Sequence, residues 1–92
     1  MLIQPEESEI IGGWESSNGA FRADAAAIRI EQLTHTYLTK LASAPSGWET
    51  LFKDPADHRL WELSYPRGEM HGGGPPTLRV VSKESARSKY GI

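Results

Sequence analysis

His71-Gly72-Gly73-Gly74-Pro75-Pro76 is the stretch of this 92-residue chain whose residue types come nearest to known chemistry. A histidine followed by three glycines forms the oxyanion-hole loop of lipase-like hydrolases, where backbone N–H groups meet a developing negative charge. That chemistry also needs a Gly-x-Ser-x-Gly nucleophile turn on a large sheet, and the sequence contains no such motif. Glycine-rich loops can cradle phosphates as well, but a Walker loop continues through Lys-Ser/Thr into a helix. Here Pro75 and Pro76 follow the glycines, and proline has no N–H to donate.

The remaining chemical residues assemble no better. His35, His58 and His71 lack metal-ligand spacing. Asp54, Asp57 and His58 share a short segment, but not the alternating oxygen ligands of a calcium loop. Carboxylates at such positions commonly bond to nearby backbone and shape the turn. Glu62, Glu69 and His71 could serve as acid and base, yet nothing in their spacing demands it. A glutamate alternating with Trp61 and Leu63 is expected to face solvent or a partner. The residues thus point by elimination to a binding protein rather than an enzyme, with no cofactor and no metal.

The elements that position these residues follow from periodicity. Residues 10–15 and 20–23 flank Asn18-Gly19, a strong hairpin signal because both residues tolerate positive φ. Gly12 and Gly13 weaken the first of these strands and suggest a bulge or a close backbone approach. Asp24 is a good N-cap for the following stripe Ala26, Ile30, Leu33, Tyr37, Leu41, which has helical spacing. A helix over residues 24–42 would be roughly 28 Å long, with Ile28 off its apolar face and Pro45-Ser46-Gly47 as its stop. Residues 48–53 and 59–65 read as a second hairpin joined through Asp54-Pro55. Residues 77–81 form a fifth strand after the glycine/proline loop. Ser82 caps a short final helix, with Glu84 in its first turn, Arg87 and Lys89 near its end and Gly91 as its stop. The order β-β-α-β-β-β-α predicts an α+β fold. One mostly antiparallel five-stranded sheet carries the long helix on a face and a short C-terminal helix.

Ninety-two residues suit one domain, spanning 1–92, with one modest core. The three tryptophans, Trp14, Trp48 and Trp61, are expected in that core. With no cysteine there is no disulfide framework and no cysteine zinc site. The first residues carry neither a basic n-region nor a long apolar run, so a cytoplasmic protein away from membranes is expected. The net charge of −2 is unevenly spread. Glu6, Glu7, Glu9, Glu15 and Asp24 oppose Arg22 in the first 24 residues. Arg79, Lys83, Arg87 and Lys89 oppose Glu84 in residues 78–92. Four basic residues near one end fall short of the basic face of a nucleic-acid binder. A small nucleic-acid module using the final helix, or a small enzyme using His71, are the alternatives.

Residues 54–90 resemble the immunity protein 27 family of bacterial polymorphic toxin systems. The resemblance is carried by Asp54-Pro55, Asp57, Arg59, Trp61-Glu62, Tyr65-Pro66, the run His71 to Pro76 and the closing Lys89-Tyr90. Ile10 to Trp14, Asp24 and Arg29-Ile30-Glu31 match in style. His58 departs from the pattern, which favours a small turn residue there, often glycine; if the position takes positive φ, histidine is strained. The resemblance implies a cytoplasmic protein that binds and neutralises the C-terminal toxin domain of a cognate toxin. Relatives stand beside contact-dependent growth inhibition toxins, many of them nucleases. Acids are a common way to occupy a nuclease's basic groove, the candidates here being Glu6, Glu7, Glu9, Asp54, Asp57, Glu62 and Glu69, and exposed aromatics make hot spots. The expected toxin-binding residues are Asp54, Asp57, Glu62, Tyr65, Glu69, His71, Gly72, Gly73 and Gly74. Arg59 is placed to pair with Asp54 or Asp57. The HGGGPP loop is expected mainly to connect, its glycines taking unusual φ and its prolines forcing an extended entry into the last strand.

Overall fold

Gly12 and Gly13 divide the first predicted strand in two. The computed structural model describes residues 3–17, 20–66 and 74–92. In it β1 (Glu9–Ile11) precedes the glycine pair, and β2 (Trp14–Ser17) and β3 (Ala20–Ala23) follow it. Then come α1 (Ala25–Thr36), β4 (Thr39–Ser43), β5 (Thr50–Lys53), β6 (Leu60–Ser64), β7 (Thr77–Val81) and α2 (Lys83–Tyr90). A five-stranded antiparallel sheet runs in the order β1-β7-β6-β5-β4, while β2 and β3 form a separate hairpin. The α+β class, the five-stranded antiparallel sheet and the two helices are as predicted. Which strands make up the sheet is not: β2 and β3 leave it, and β4 takes an edge.

Both glycines are required by what they touch. The Gly12 N–H donates to the Pro76 carbonyl at 2.9 Å, and a Cβ there would lie 2.6 Å from that oxygen and 3.1 Å from Ala27 Cα. Gly13 N–H donates to Asp24 Oδ1 at 3.1 Å, and the Gly13 carbonyl accepts from Asp24 N–H at 3.0 Å. Asp24 Oδ1 also accepts from Ala27 N–H at 2.9 Å, so one carboxylate caps α1 and clasps the chain entering the hairpin. Trp14 pairs with Ala23 and Ser17 with Ala20; the Asn18-Gly19 turn lies outside the described residues.

Helix α1 ends at Thr36, six residues short of the prediction. The apolar period continues past that point, but Thr34, His35, Thr36 and Tyr37 are weak helix formers, and β-branching stiffens two of them. Thr34 and Thr36 turn their hydroxyls onto the carbonyls of Ile30 and Gln32. Leu38 N–H closes the helix on the Leu33 carbonyl, and the next residues pair as β4 with β5, with a register shift between Lys40 and Ala42.

Strand alternation divides the sheet into two faces. Phe52, Trp61 and Val80 stand opposite one another on the α1 face; Leu51, Glu62 and Arg79 do so on the other. Ile10, Ile30, Leu33, Phe52, Trp61 and Leu78 build the core on the α1 side, each contributing about 1.5–3 kcal/mol by leaving water. Of the three tryptophans only Trp61 is in the core: it is fully buried, whereas Trp14 is 41% and Trp48 55% exposed. Helix α2 begins as expected, with Ser82 Oγ accepting from Ser85 N–H. It ends as expected too, on Gly91 in the left-handed region at φ 71°. Its Ala86 is buried.

Candidate functional site

Asp54 opens the turn between β5 and β6 and is wholly buried. Its Oδ1 accepts from Ala56 N–H at 2.8 Å and from the Tyr37 hydroxyl at 2.6 Å. Its backbone closes the turn, N–H to the Arg59 carbonyl and carbonyl from His58 N–H. The bond to Asp54 stabilises the neutral phenol, and with burial it pushes the Tyr37 pKa up from 10.0 to about 12. His58 sits at φ 65°, the left-handed conformation for which glycine is the usual residue. Asp54 Oδ2 and Trp61 Nε1 are buried with no hydrogen-bond partner among the described residues.

Arg59 straps the N-terminal segment to this turn. Its Nε donates to Asp57 Oδ2 at 2.6 Å while its backbone N–H meets Asp57 Oδ1 at 3.0 Å. Its Nη atoms reach the Glu7 carbonyl at 2.5 Å and the Gln4 carbonyl at 3.1 Å, and the guanidinium lies 5.1 Å from the Trp61 ring centre. The Arg59 backbone N–H, then the guanidinium, hold the Asp57 carboxyl below its ordinary pKa against the opposing effect of burial. Of the two aspartates offered to Arg59 by the sequence, the partner is Asp57. Glu7, one of the acids that could have faced a toxin, receives two hydrogen bonds from Arg29.

Glu62 lies on the opposite face of the sheet and is 3% exposed. Tyr90 Oη donates to its Oε2 at 2.9 Å, Lys89 Nζ stands 2.9 Å from the same oxygen, and Arg79 is 3.7 Å from Oε1. Lys89 also bridges to Glu49 at 2.5 Å. Burial alone would lower the Lys89 pKa, but its bonds to Glu49 and Glu62 raise it overall. Tyr90 is pushed up by burial and by its bond to Glu62. Glu62 was expected to face solvent or a partner; it does point away from Trp61 and Leu63, but helix α2 covers that side and buries it.

Tyr65 and Gly74, by contrast, come together. Both line a groove of about 600 Å³ bounded by α1, the hairpin and the open part of the sheet, with Trp14, Phe52 and Leu63 as further walls. Trp48 packs edge-on against Tyr65, ring centres 5.9 Å apart at 77°. Gly74 is buried at φ 72°. Glu69, His71, Gly72 and Gly73 lie outside the described residues. Among the described residues no three histidines or carboxylates converge to hold a metal ion, and no helix is long and apolar enough to cross a membrane.

Among the described residues no nucleophile, base and oxyanion donors line up; what they offer is a groove with aromatic walls. The model of the Immunity protein 27 family matches residues 16–82. The chain belongs to that family. No curated protein matches it, and no solved structure does. Membership carries an immunity function, the binding of a cognate toxin protein. In this Immunity protein 27 member the matched span holds the Asp24 clasp, the Asp54–Arg59 turn, Glu62 and most of the groove. The closing Lys89-Tyr90 pair lies beyond it. Sequence reasoning missed Tyr37 and Trp48. Tyr37 sat inside the predicted helix, and an isolated tryptophan gives no sign of which way it faces.

Proposed function

We propose that the chain neutralises the C-terminal toxin domain of a cognate, contact-delivered bacterial toxin by occlusion. It acts in the cytoplasm and performs no catalysis of its own. The observation that carries this reading is the family match over residues 16–82. Nuclease domains are the first toxin class to test. Tyr65 is proposed to contact the toxin directly because it lines the groove; Gly74, buried in the groove's lining, and Glu69, His71, Gly72 and Gly73 are proposed as toxin-binding residues on sequence grounds. Asp57 adds a carboxylate at a turn braced by Arg59, whereas Asp54 and Glu62 act by holding the scaffold. A nucleic-acid reading has less support, because Lys89 of the basic helix is engaged by two carboxylates. The test expresses the toxic domain encoded alongside this chain, with and without it. Restored growth together with a co-purifying complex is expected. Unrelieved toxicity with no complex would overturn the proposal.

A further inference from the structure

Two of the three tryptophans stand half in water, one in the groove and one against a residue of its wall. Trp14 lines the groove, and Trp48 packs on Tyr65, which lines it too. On about 250 Å² for a tryptophan side chain, their exposed fractions leave roughly 240 Å² of indole surface in water. A chain this short, with a core to fill, gains more by burying such residues than by displaying them. Where a chain breaks a local rule of this kind, a functional surface is the first place to look.

The acids tell the complementary story. Of seven acids that could mimic phosphate toward a toxin, Asp54 and Glu62 are buried, Glu7 is bonded to Arg29 and Asp57 to Arg59. Glu69 lies outside the described residues, which leaves Glu6 and Glu9 on the surface. Glu6 and Glu9 stay exposed, as do Glu15, Glu31 and Glu84, while an apolar concavity is ready-made.

We propose that the toxin domain docks in the groove between α1 and the open part of the sheet. It fills the groove with an apolar segment carrying an aromatic or long aliphatic side chain. This rests on the toxin-binding reading above. The floor, with Phe52, Leu63 and Ile30, is apolar, and Glu31, His35 and Lys40 supply polar groups. Aromatic anchors within a polar surround are the anatomy of a protein–protein hot spot. The walls are fixed in advance: the Gly13–Asp24 clasp holds the strand bearing Trp14, and the Gly12–Pro76 bond holds the chain beside Gly74. Little ordering remains to be done when the partner arrives. Residues of both signs at the groove favour an apolar segment with polar ends over a purely cationic one.

The experiment titrates the full chain with the purified toxic domain encoded alongside it. Wild type, Trp48→Ala, Trp14→Ala and a distant control on α2, Arg87→Ala, are compared. Each tryptophan variant is expected to weaken binding at least 10-fold, with Arg87→Ala unchanged. Variants that bind within threefold of a tightly binding wild type would overturn the groove as the docking site. A wild type that binds nothing would instead overturn the toxin reading on which the groove depends. Because Trp14→Ala could disturb the hairpin, the intact chain is also labelled with 5-fluorotryptophan and followed by fluorine NMR. The Trp14 and Trp48 resonances are expected to shift on complex formation while Trp61 stays put. A complex that leaves both unmoved would sink the proposal.

Discussion

Replacing Glu62 separates a scaffold role from a contact role more sharply than any other single change. In Glu62→Ala the Tyr90 hydroxyl loses a charged acceptor, a bond of about 1.5–3 kcal/mol. Lys89 keeps Glu49 and is partly exposed, so its loss is about 0.5 kcal/mol. Arg79, more exposed and at 3.7 Å, adds almost nothing. Truncating two methylene-sized groups in a covered site adds roughly 1 kcal/mol. The sum is about 3–4.5 kcal/mol, a large share of the stability of a small domain. At 4–8 °C per kcal/mol it would lower the melting temperature by roughly 12–36 °C. Glu62→Gln keeps an acceptor for Tyr90 and loses only the charge, so it should cost about half as much. Urea denaturation with a fitted m-value measures both, and Tyr90→Phe alone and with Glu62→Gln completes a double-mutant cycle. Coupling near zero, or Glu62→Ala within 1 kcal/mol of wild type, would refute the reasoning. So would a Glu62→Ala protein of full stability that no longer held the toxin, for then the carboxylate would be a contact after all.

The other predictions concern the turn and the glycine pair. Tyr37 binds its proton more tightly in the folded state, with a pKa of about 12 against 10.0 unfolded. Its stabilising effect is complete below pH 10 and is lost as pH rises toward 12. Alkaline denaturation should therefore be milder in Tyr37→Phe, with the residue of the effect due to Tyr90, and an identical pH profile would refute this. Asp57 has a depressed pKa, so the stability it lends should be present above about pH 4 and fall away in more acid solution; Asp57→Asn should flatten that acid limb in urea titrations. His58→Gly should raise stability by up to about 1 kcal/mol, because φ 65° costs histidine and not glycine; a lower urea midpoint would argue against strain there. Gly12→Ala should cost about 1–3 kcal/mol, since the new methyl meets backbone atoms of Pro76 and Ala27 that cannot swing aside; an unchanged midpoint would show that the crossing is looser than drawn.

What the sequence made legible was local. Ser82, Glu84, Arg87, Lys89 and Gly91 announce α2 because capping and dipole effects act within one turn. Asp24 announced α1 in the same way. The end of α1 was hidden because Leu38 and Leu41 continue a helical period by coincidence, while the fold uses Leu38 as core and Tyr37 as a donor to Asp54, 17 residues away. Glu62 shows the same limit. Alternation chose its face, but only the docking of α2, through Tyr90 28 residues on, decided that the face would be covered. Composition pointed all three tryptophans to the core, and only Trp61 is there, because a residue count carries no direction.

The site divides along that line between local and distant. Asp57, Arg59, Glu62, Lys89 and Tyr90 carry much of the family resemblance, and the structure joins them to one another or to backbone far along the chain. Arg59 reaches Gln4 across 55 positions. Such residues fix the relative placement of N-terminus, turn and final helix, and altering any of them moves the whole surface that a toxin would meet. Trp48 has the opposite character: it sits between β4 and β5, more than half in water, and its packing is on Tyr65. A residue of that kind can change without unfolding the domain. It is therefore beside the groove, at the Trp48–Tyr65 contact, and not among the bonded motif residues, that an immunity protein could adjust its fit to one toxin while keeping the same fold. Loss of protection in an Arg59 or Glu62 variant speaks of contact only after its stability has been accounted for. In a Trp48 variant it speaks of contact at once.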